Sequence, residues 1–590
     1  MCGIIACAGV RRASEILYKG LCDLEYRGYD SAGISVKRGG EIVTVKRAGR
    51  VSAIECARRL GGSAGIGHTR WATHGRPSDE NAHPHCRGGF SVVHNGIIEN
   101  YAVLKEELIA EGDEFLSQTD SEVVVHLLAK YYRGDLKEAV LRTVARLKGA
   151  FALCILHEDF EGFVAVKYRN PVIVGCGNGC FAASDMPALS GIAARVAVLK
   201  DGQIAFACEG GFTFCDFEGN AASLTFSPLP PQARSGGTAG FPHYMIKEIN
   251  EIPSAIRQTA AAFETEGCAR AFAKLRRKKF SQVMLCGCGT AYHAALAAAY
   301  AGEELIGVPV RAETAGEYRY RRRGSLAGTL FAAVSQSGET ADTVEAARTA
   351  KAAGALVAAV TNVPYSALTS VADIVVPVRA GAEICVAATK SYCGQCAVLG
   401  LMFSALAGGR HYRQAKRALG EAEGMCAGAI SHCAVEDVAR ACASASAVYF
   451  IGRGADYPAA LEGSLKLKEV SYVPGEGFPA GELKHGPIAL IDGGTLTVAV
   501  ITAPALAEKT ASAVEQVCAR GGRAAVVCAE GCEPEGLRER AEFFITVPRS
   551  ALFPAIISAI PLQLIAYRTA VILGRDPDKP RNLAKSVTVE

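Results

Sequence analysis

Cys2 is a candidate nucleophile because of its position in the chain. Removal of Met1, which a small following side chain favours, would leave a thiol and a free α-amino group on the same residue. An α-amino group titrates at about pH 7.7 to 8.0, so it can accept the thiol proton near neutral pH. The alternative is that Cys2 is one more buried cysteine in a chain that contains 22.

A second candidate site is the short polar segment SQSGET at residues 335–340. Its hydroxyl and amide groups are four uncharged donors, and it contains no Lys or Arg. Free backbone N–H groups at a helix N-terminus attract anions, so such a segment suits a sugar phosphate better than a nucleotide. Simple capping of the following helix explains the same residue types equally well. The donors are Ser335, Gln336, Ser337 and Thr340.

The elements around this segment define it as a turn between a strand and a helix. Residues 330–334 form an apolar run that is too short for a helix, so we predict a buried strand. Residues 339–351 are rich in Ala, Glu, Thr and Lys and predict a helix. Gly338 supplies the backbone freedom that the turn between them needs.

Length and composition indicate a globular protein of several domains. A chain of 590 residues is too long for one core. Its net charge of +4 gives no reason to expect nucleic acid or membrane partners. The N-terminus lacks a basic leader, and the apolar residues 551–567 predict a buried helix. The cysteines form no metal-binding or disulfide framework, so we expect a reduced, cytoplasmic protein.

The N-terminal part of the chain, up to Phe226, resembles the class II glutamine amidotransferases, a branch of the N-terminal nucleophile hydrolases. The matching motifs occur in order along the chain, at residues 1–5, 26–33, 67–75, 81–85, 94–96 and 119–121. The resemblance implies a four-layer αββα sandwich over residues 2–226. Alternating and apolar runs that predict strands at residues 89–94, 150–157, 162–167 and 195–199 are consistent with that fold. A Pro- and Gly-rich linker is expected at residues 227–242.

The resemblance also implies a role for each residue of a glutaminase site. Cys2 would attack the side-chain amide of L-glutamine, and developing negative charge on oxygen needs neutral donors aimed at it. A zwitterionic substrate needs one positive and one negative partner. No metal is expected, although His83, His85 and Cys86 lie close together in the sequence. The implied roles are Asn95 and the Gly96 N–H as oxyanion hole, Arg70 for the substrate carboxylate, Asp120 for its ammonium, His83 for the pocket, and Trp71 as gate of an ammonia channel.

The second half of the chain repeats itself at a constant offset. Gly287 and Gly289 align with Gly452 and Gly454, and at the same spacing residues 315–317 (AGE) align with residues 480–482 (AGE). Each copy alternates strands and helices, which predicts two parallel-sheet αβα sandwiches. The Gly-x-Gly pairs are weak dinucleotide signals because the third glycine is missing. Both copies resemble sugar isomerase (SIS) domains, expected at residues 243–425 and 426–580.

The whole domain order resembles the family of amidotransferases that transfer the glutamine nitrogen to D-fructose 6-phosphate, at the first step of the hexosamine pathway. That family is homodimeric, uses no cofactor and yields D-glucosamine 6-phosphate and L-glutamate. The resemblance implies roles for a second set of residues. They are Thr290, Ser335, Gln336, Ser337 and Thr340 for sugar and phosphate, Val386 and Ala584 for backbone contacts, Glu469 as isomerisation base, Lys466 near the anomeric end, His485 of the neighbouring subunit for ring opening, and Lys585, in the tail at residues 581–590, for the Schiff base.

The chemistry of these roles suits the residue types. Opening of the sugar ring requires a His that titrates near neutral pH. Formation of an imine with the ketone requires an amine, and one carboxylate can carry a proton from C1 to C2. The chain departs from the family at Ala291, where Ser is usual, so one side-chain donor to the sugar is missing.

Two other functions remain open on the sequence. An amidotransferase acting on a ribosyl pyrophosphate would carry a phosphoribosyltransferase domain in place of the repeat. A sugar-phosphate sensor would bind without catalysis and would lack Cys2, Glu469, His485 and Lys585 as a set. Turnover of glutamine with fructose 6-phosphate distinguishes an enzyme from a sensor.

Overall fold

The structure is a computed structural model that describes residues 2–229, 237–321, 324–431 and 435–587. The chain divides into two compact units, residues 1–235 with 584–590, and residues 236–583. Three features expected from the sequence lie wholly or partly outside the described residues. They are the processing of Met1, the centre of the linker at residues 227–242 and the end of the tail at residues 581–590.

The first unit consists of two antiparallel sheets with helices on their outer faces. One sheet has the strand order β14-β11-β9-β10-β1-β4-β2-β3 and the other the order β13-β12-β8-β7-β6-β5. The strands are β1 Gly3–Ala8, β2 Ser31–Arg38, β3 Glu41–Ala48, β4 Ala64–Arg70, β5 His85–Arg87, β6 Phe90–Ile98, β7 Gly149–His157, β8 Gly162–Tyr168, β9 Ile173–Gly177, β10 Gly179–Ala183, β11 Ala193–Val198, β12 Gln203–Cys208, β13 Gly211–Asp216 and β14 Ser227–Pro228. The helices are α1 Ala13–Leu24, α2 Tyr101–Ala110, α3 Glu122–Tyr131 and α4 Leu136–Arg146.

The alternation of side chains along β1 shows how the four layers form. Ile4 and Ala6 point between the sheets, where they pack with Val93 of the second sheet. Ile5 and Cys7 point to the opposite face and pack in the cluster that includes α1. Because successive strand residues face opposite sides, one strand contributes to two cores. The expected αββα sandwich is confirmed, and the four predicted strands correspond to β6, β7, β8 and β11.

The second unit contains two parallel sheets with the same topology. Their orders are β16-β15-β17-β18-β19 and β21-β20-β22-β23-β24. The strands are β15 Gln282–Gly287, β16 Val310–Thr314, β17 Thr329–Ser335, β18 Leu356–Thr361, β19 Ile374–Pro377, β20 Ala447–Gly452, β21 Gly475–Pro479, β22 Thr495–Ile501, β23 Arg523–Ala529 and β24 Phe543–Val547. The helices are α5 Tyr244–Asn250, α6 Ile252–Thr265, α7 Cys268–Leu275, α8 Thr290–Ile306, α9 Ala315–Tyr318, α10 Ala341–Ala352, α11 Ala367–Val371, α12 Lys390–Ala407, α13 Gly409–Ile430, α14 Val435–Ser444, α15 Tyr457–Ser471, α16 Pro504–Cys518, α17 Leu537–Arg540 and α18 Pro554–Ile572.

The predicted strand at residues 330–334 is the buried strand β17, and the helix after it begins at Ala341, two residues later than predicted. The apolar stretch before the tail is helix α18. It is long and apolar enough to cross a membrane, but 78% of its most apolar window is buried inside the protein. A buried core helix passes the same test of length and composition, so this helix is weak evidence for a membrane span.

Candidate active sites

Cys2 lies just before β1, beside the end of the neighbouring strand β4. The antiparallel register pairs Gly3 with Thr69, which brings the residues that follow β4 next to Cys2. The backbone N–H of Trp71 donates to Cys2 Sγ at 3.2 Å. Burial raises the pKa of the Cys2 thiol, so a base near the sulfur is needed to form the thiolate at neutral pH.

Asn95 comes from the other sheet and points its amide nitrogen at Cys2. Asn95 Nδ2 donates to the Cys2 carbonyl at 2.9 Å. His68 Nε2 lies 3.0 Å from the His94 carbonyl and 3.1 Å from Asn95 Oδ1, so it must carry the proton that both acceptors need. Burial lowers the pKa of His68 to about 3, so the ring is neutral. Because Oδ1 is held by His68, the Asn95 amide is fixed with its NH₂ group towards Cys2.

Gly96 adopts a conformation that another residue would not tolerate. Its φ is +133°, and an added Cβ would lie 1.9 Å from the Ala150 carbonyl oxygen. Asn170 Nδ2 donates to the Asn95 carbonyl at 2.8 Å and holds the same peptide segment. The backbone next to the Asn95 amide is therefore fixed by packing.

Arg70 is a buried cation with an unused donor. Its side chain lies at the end of β4, and Nη2 donates to the carbonyls of His74 and, at 3.1 Å, Gly75. Nη1 is buried and has no hydrogen-bond partner within residues 2–229 or the other described segments. Burial lowers the pKa of this guanidinium. A buried donor without a partner lowers the stability of the folded protein, so the geometry favours binding of an anionic ligand at Nη1.

Three other residues predicted for this site lie in the same unit. Asp120 is buried, and its Oδ2 accepts the Ile98 N–H at 2.8 Å. His83 stacks on His68 with ring centroids 4.1 Å apart, and burial lowers its pKa well below the usual value. Trp71 is half-buried and meets the Tyr29 ring edge to face at 5.6 Å.

The polar turn in the second unit lies at the point where the strand order of its first sheet reverses. Strands β15 and β17 are neighbours. From β15 the chain continues to β16 at one edge of the sheet, and from β17 it continues to β18 and β19 towards the other edge. Ligands of open parallel sheets bind at the carboxyl ends of the strands at such a switch point. The turn at residues 335–340 follows β17, and Thr290 follows β15.

The hydroxyl groups of the turn face one another and its own backbone. Ser335 Oγ lies 3.0 Å from Thr340 Oγ1 and accepts the Gly338 N–H at 3.0 Å. Ser337 Oγ accepts the Glu339 N–H at 3.1 Å. Thr340 is the N-cap residue of α10, but its side chain accepts no hydrogen bond from that helix. Gln336 is half-buried.

Helix α15 presents a buried charge network to Thr290. Lys466 Nζ lies 2.6 Å from the Glu469 carboxylate and 3.5 Å from that of Glu462. It also donates to Thr290 Oγ1 at 2.9 Å. Burial alone lowers the pKa of Lys466, but the attraction of the two carboxylates outweighs it, and the pKa is raised. Lys466 therefore stays protonated.

The remaining predicted residues have less specific surroundings. The Val386 N–H donates to the Asp578 carbonyl at 3.1 Å, so that donor is already used within the second unit. His485 is exposed on the short 3₁₀ helix Glu482–His485. Ala584 and Lys585 are half-buried in the tail. No group of three or more His, Cys, Asp or Glu side chains among the described residues could hold a metal ion.

Comparison with known proteins identifies the two units. The SIS domain model matches residues 274–405 and again 442–573, and a glutamine amidotransferase domain model matches residues 68–191. Glutamine–fructose-6-phosphate aminotransferase (isomerizing) of Thermus thermophilus is 43% identical over 607 aligned residues that cover all of both chains. The enzyme of that name from Symbiobacterium thermophilum is 44% identical over 622 aligned residues, again with full coverage.

The chain belongs to the glutamine–fructose-6-phosphate aminotransferase (isomerizing) family. The C-terminal domain of glucosamine-fructose-6-phosphate aminotransferase from Francisella tularensis matches 58% of this chain and 100% of its own, with 34% identity and a TM-score of 0.52.

Two structural partners in these sites were not assigned a role from the sequence. His68 fixes the Asn95 amide, and it stood inside the motif at residues 67–75. Glu462 bridges Thr290 Oγ1 at 3.1 Å and His293 Nδ1 at 2.8 Å, and it lies four residues before Lys466 on α15. The spacing of four places both side chains on one helix face, which is the signal that could have found Glu462.

Proposed function

We propose that this chain converts L-glutamine and D-fructose 6-phosphate to D-glucosamine 6-phosphate and L-glutamate, a reaction that fits the name of its relatives, glutamine–fructose-6-phosphate aminotransferase (isomerizing). The observation that carries the proposal is that one chain contains both kinds of site. Asn95 Nδ2 is fixed 2.9 Å from the Cys2 carbonyl in the first unit, and Lys466 joins Glu469 to Thr290 in the second.

In the glutaminase step, Cys2 Sγ attacks the side-chain amide carbon of glutamine, with the α-amino group freed by loss of Met1 as base. Ammonia leaves, and water then hydrolyses the thioester to release glutamate. The Asn95 amide and the Gly96 N–H receive the oxyanion, because both are neutral donors and the Asn95 amide is held beside Cys2. The free Nη1 of Arg70 takes the substrate carboxylate. Asp120 takes the ammonium group, and His83 supports the pocket wall through His68.

In the synthase step, the turn at residues 335–340 holds the phosphate. Ser335, Ser337 and Thr340 supply hydroxyls, and Gln336 supplies an amide. Thr290 is at the sugar end, since it also contacts Lys466. Val386 and Ala584 contribute backbone contacts, and Val386 does so through its carbonyl because its N–H is engaged by Asp578.

Lys585 forms the Schiff base with the C2 ketone and water is released. Ammonia from the glutaminase step then displaces Lys585 at C2, and Glu469 moves the proton from C1 to C2. The protonated state of Lys466 supports the assignment of the Schiff base to Lys585 and not to Lys466. A lysine held protonated by two carboxylates is a poor nucleophile, so Lys466 acts as a fixed positive charge near the anomeric end. His485 is exposed, which suits a residue that opens the sugar ring in a neighbouring subunit of a homodimer.

One assay tests the proposal. Purified protein is mixed with glutamine and fructose 6-phosphate, and glucosamine 6-phosphate and glutamate are measured in the same sample. We expect both products, in equal amounts, from a cytoplasmic enzyme that needs no added metal or cofactor. Binding of fructose 6-phosphate without either product would instead favour a sugar-phosphate sensor.

A further inference from the structure

The switch point that forms the candidate sugar site occurs twice in the second unit. Both parallel sheets have the same strand order, so β20 and β22 meet just as β15 and β17 do. The helices that follow the first strands, α8 and α15, end at Ile306 and Ser471, which are related by the same offset as Gly287 and Gly452. A duplicated fold therefore provides a second place where a ligand of a parallel sheet would bind.

A cavity of about 610 Å³ lies at this second switch point. Ala455 after β20 and Ala503 after β22 line it, together with one side of α8 and the N-terminal end of α18. In the candidate sugar site, the first sheet supplies the turns and α15 supplies Lys466 and Glu469. In the cavity, the second sheet supplies the turns and α8 supplies the opposite wall. The cavity is thus the counterpart of the sugar site with the two halves exchanged.

The lining of the two sites differs in a systematic way. Residues of α8 correspond to residues of α15 at the offset that relates Ile306 to Ser471. Residues after β17 correspond to residues after β22 at the offset that relates Ser335 to Ile501, which is larger by one. At five of the six compared positions, a hydroxyl or charged group of the sugar site is replaced by an apolar side chain, whereas Glu304 corresponds to Glu469. Elsewhere the lining also contains the polar residues Ser404 and His411. The other pairs are Thr290 with Ala455, Ser337 with Ala503, Thr340 with Leu506, Glu462 with Ala297, and Lys466 with Ala301.

The anion-binding backbone of the first switch point is also lost in the second. Helix α16 begins at Pro504, three residues after the end of β22, so there is no room for a turn like residues 335–340. The N–H of Thr502 donates to Asp456 Oδ2 at 2.9 Å, and the Thr502 hydroxyl donates to the other oxygen. Burial raises the pKa of Asp456 to about 6, and the hydrogen bonds from Thr502 favour its charged form. The first backbone N–H after β22 is thus engaged by an internal carboxylate and is not free to bind an anion.

We propose that this cavity is a second binding site, for a small amine with an aromatic or aliphatic body. Phe403 and Phe553 supply apolar walls, and Tyr300 is an aromatic side chain of α8 in the lining. Among the described residues that line the cavity, Glu304 is the one carboxylate. Its volume is within the range of about 300 to 1,000 Å³ that is typical of small-molecule sites. A cationic head with an apolar body matches this lining, and the Glu304 carboxylate repels an anion.

Calorimetric titration of the full-length protein with three indoles tests the site. Tryptamine carries an ammonium group, indole is neutral, and indole-3-acetate is anionic, while the ring is the same in all three. We expect affinity to fall in that order, with tryptamine binding unchanged by saturating fructose 6-phosphate. Absence of tryptamine binding at millimolar concentration, or competition by the sugar phosphate, would overturn the proposal.

Two variants locate the binding. Ala503→Trp fills the cavity and should abolish tryptamine binding, whereas Ala505→Trp, at an exposed position of α16 that does not line the cavity, should leave it unchanged. Glu304→Gln should weaken tryptamine binding by up to about five-fold, the value of an exposed ion pair, and leave indole binding unchanged. Equal tryptamine affinity in Ala503→Trp and Ala505→Trp would refute the cavity as the site, and the Glu304 variant decides the matter if Ala503→Trp does not fold.

Discussion

Lys466 Nζ lies 2.6 Å from the carboxylate of Glu469, three residues further along the same helix. Because Lys466 is fully buried, this pair holds the Glu469 carboxylate beside Lys466, whose ammonium also donates to Thr290 Oγ1. Glu469 is partly exposed, with 21% of its side chain accessible, so it can still meet a substrate.

Replacing Glu469 by Gln should therefore remove the proton carrier while keeping its shape. We expect formation of glucosamine 6-phosphate to fall by about 10² to 10⁴-fold, the usual contribution of a general base. Glutamine hydrolysis should continue, since Cys2 lies in the other unit. Glu476→Gln, at an exposed carboxylate of β21, is the matched control and should keep full activity. Normal synthase activity in Glu469→Gln would remove Glu469 from the mechanism.

Cys2→Ala should abolish glutamine hydrolysis and leave fructose 6-phosphate binding intact. The nucleophile is lost, while the polar turn at residues 335–340 lies in a different unit. Glutamate release and sugar-phosphate affinity are measured on the same preparation. Cys22→Ala, at an exposed cysteine of α1, should retain both activities. If Cys2→Ala still hydrolyses glutamine at the wild-type rate, the nucleophile is another group.

Ser337→Ala should weaken binding of fructose 6-phosphate by about 1 to 3 kcal/mol, the usual loss for a hydrogen bond to a charged group. Isothermal calorimetry gives the affinity directly. Ser370→Ala, which removes an exposed hydroxyl of α11, should leave the affinity unchanged. An unaltered affinity in Ser337→Ala would show that this hydroxyl serves the local backbone alone, through the Glu339 N–H.

Lys585→Arg should lose synthase activity although the positive charge is retained. A guanidinium stays protonated and cannot form an imine. Borohydride reduction in the presence of fructose 6-phosphate, followed by peptide mapping, should label Lys585 in the wild type and no lysine in the variant. Lys468→Arg, at an exposed lysine of α15, is expected to behave as wild type. Label on a different lysine would make the tail assignment wrong.

Trp71→Ala should uncouple the two reactions if Trp71 gates an ammonia channel. The backbone N–H of Trp71 contacts Cys2 Sγ, and its half-buried ring is not enclosed as a core aromatic would be. We expect glutaminase activity to persist while glutamate is released in excess over glucosamine 6-phosphate. Trp71→Phe, which keeps an aromatic ring, should stay closer to one to one.

The alternative role of Trp71 makes a different prediction. A core tryptophan truncated to Ala should lower the free energy of unfolding by about 3 to 5 kcal/mol. An Ala variant that is less stable but still gives the two products in equal amounts would therefore place Trp71 in the core and not in the channel.

The local elements and the residue types of both sites could be predicted from the amino-acid sequence. The apolar run that became β17, the polar turn after it and the constant offset of the repeat were all visible in the chain, because they depend on pattern along the sequence. The motif around Asn95 was also visible in the sequence, but the contact with His68 that fixes the Asn95 amide was not.

The contacts between distant segments could not be predicted from the sequence and are seen in the folded chain. His68 fixes the Asn95 amide from a strand in the other sheet, and Glu462 reaches Thr290 from a distant helix of the second repeat. Sequence periodicity shows which face of a helix is buried, but not which side chain of another element it meets there. The apolar cavity at the second switch point is of the same kind, since its alanines become a binding wall only when α8 packs opposite the ends of β20 and β22.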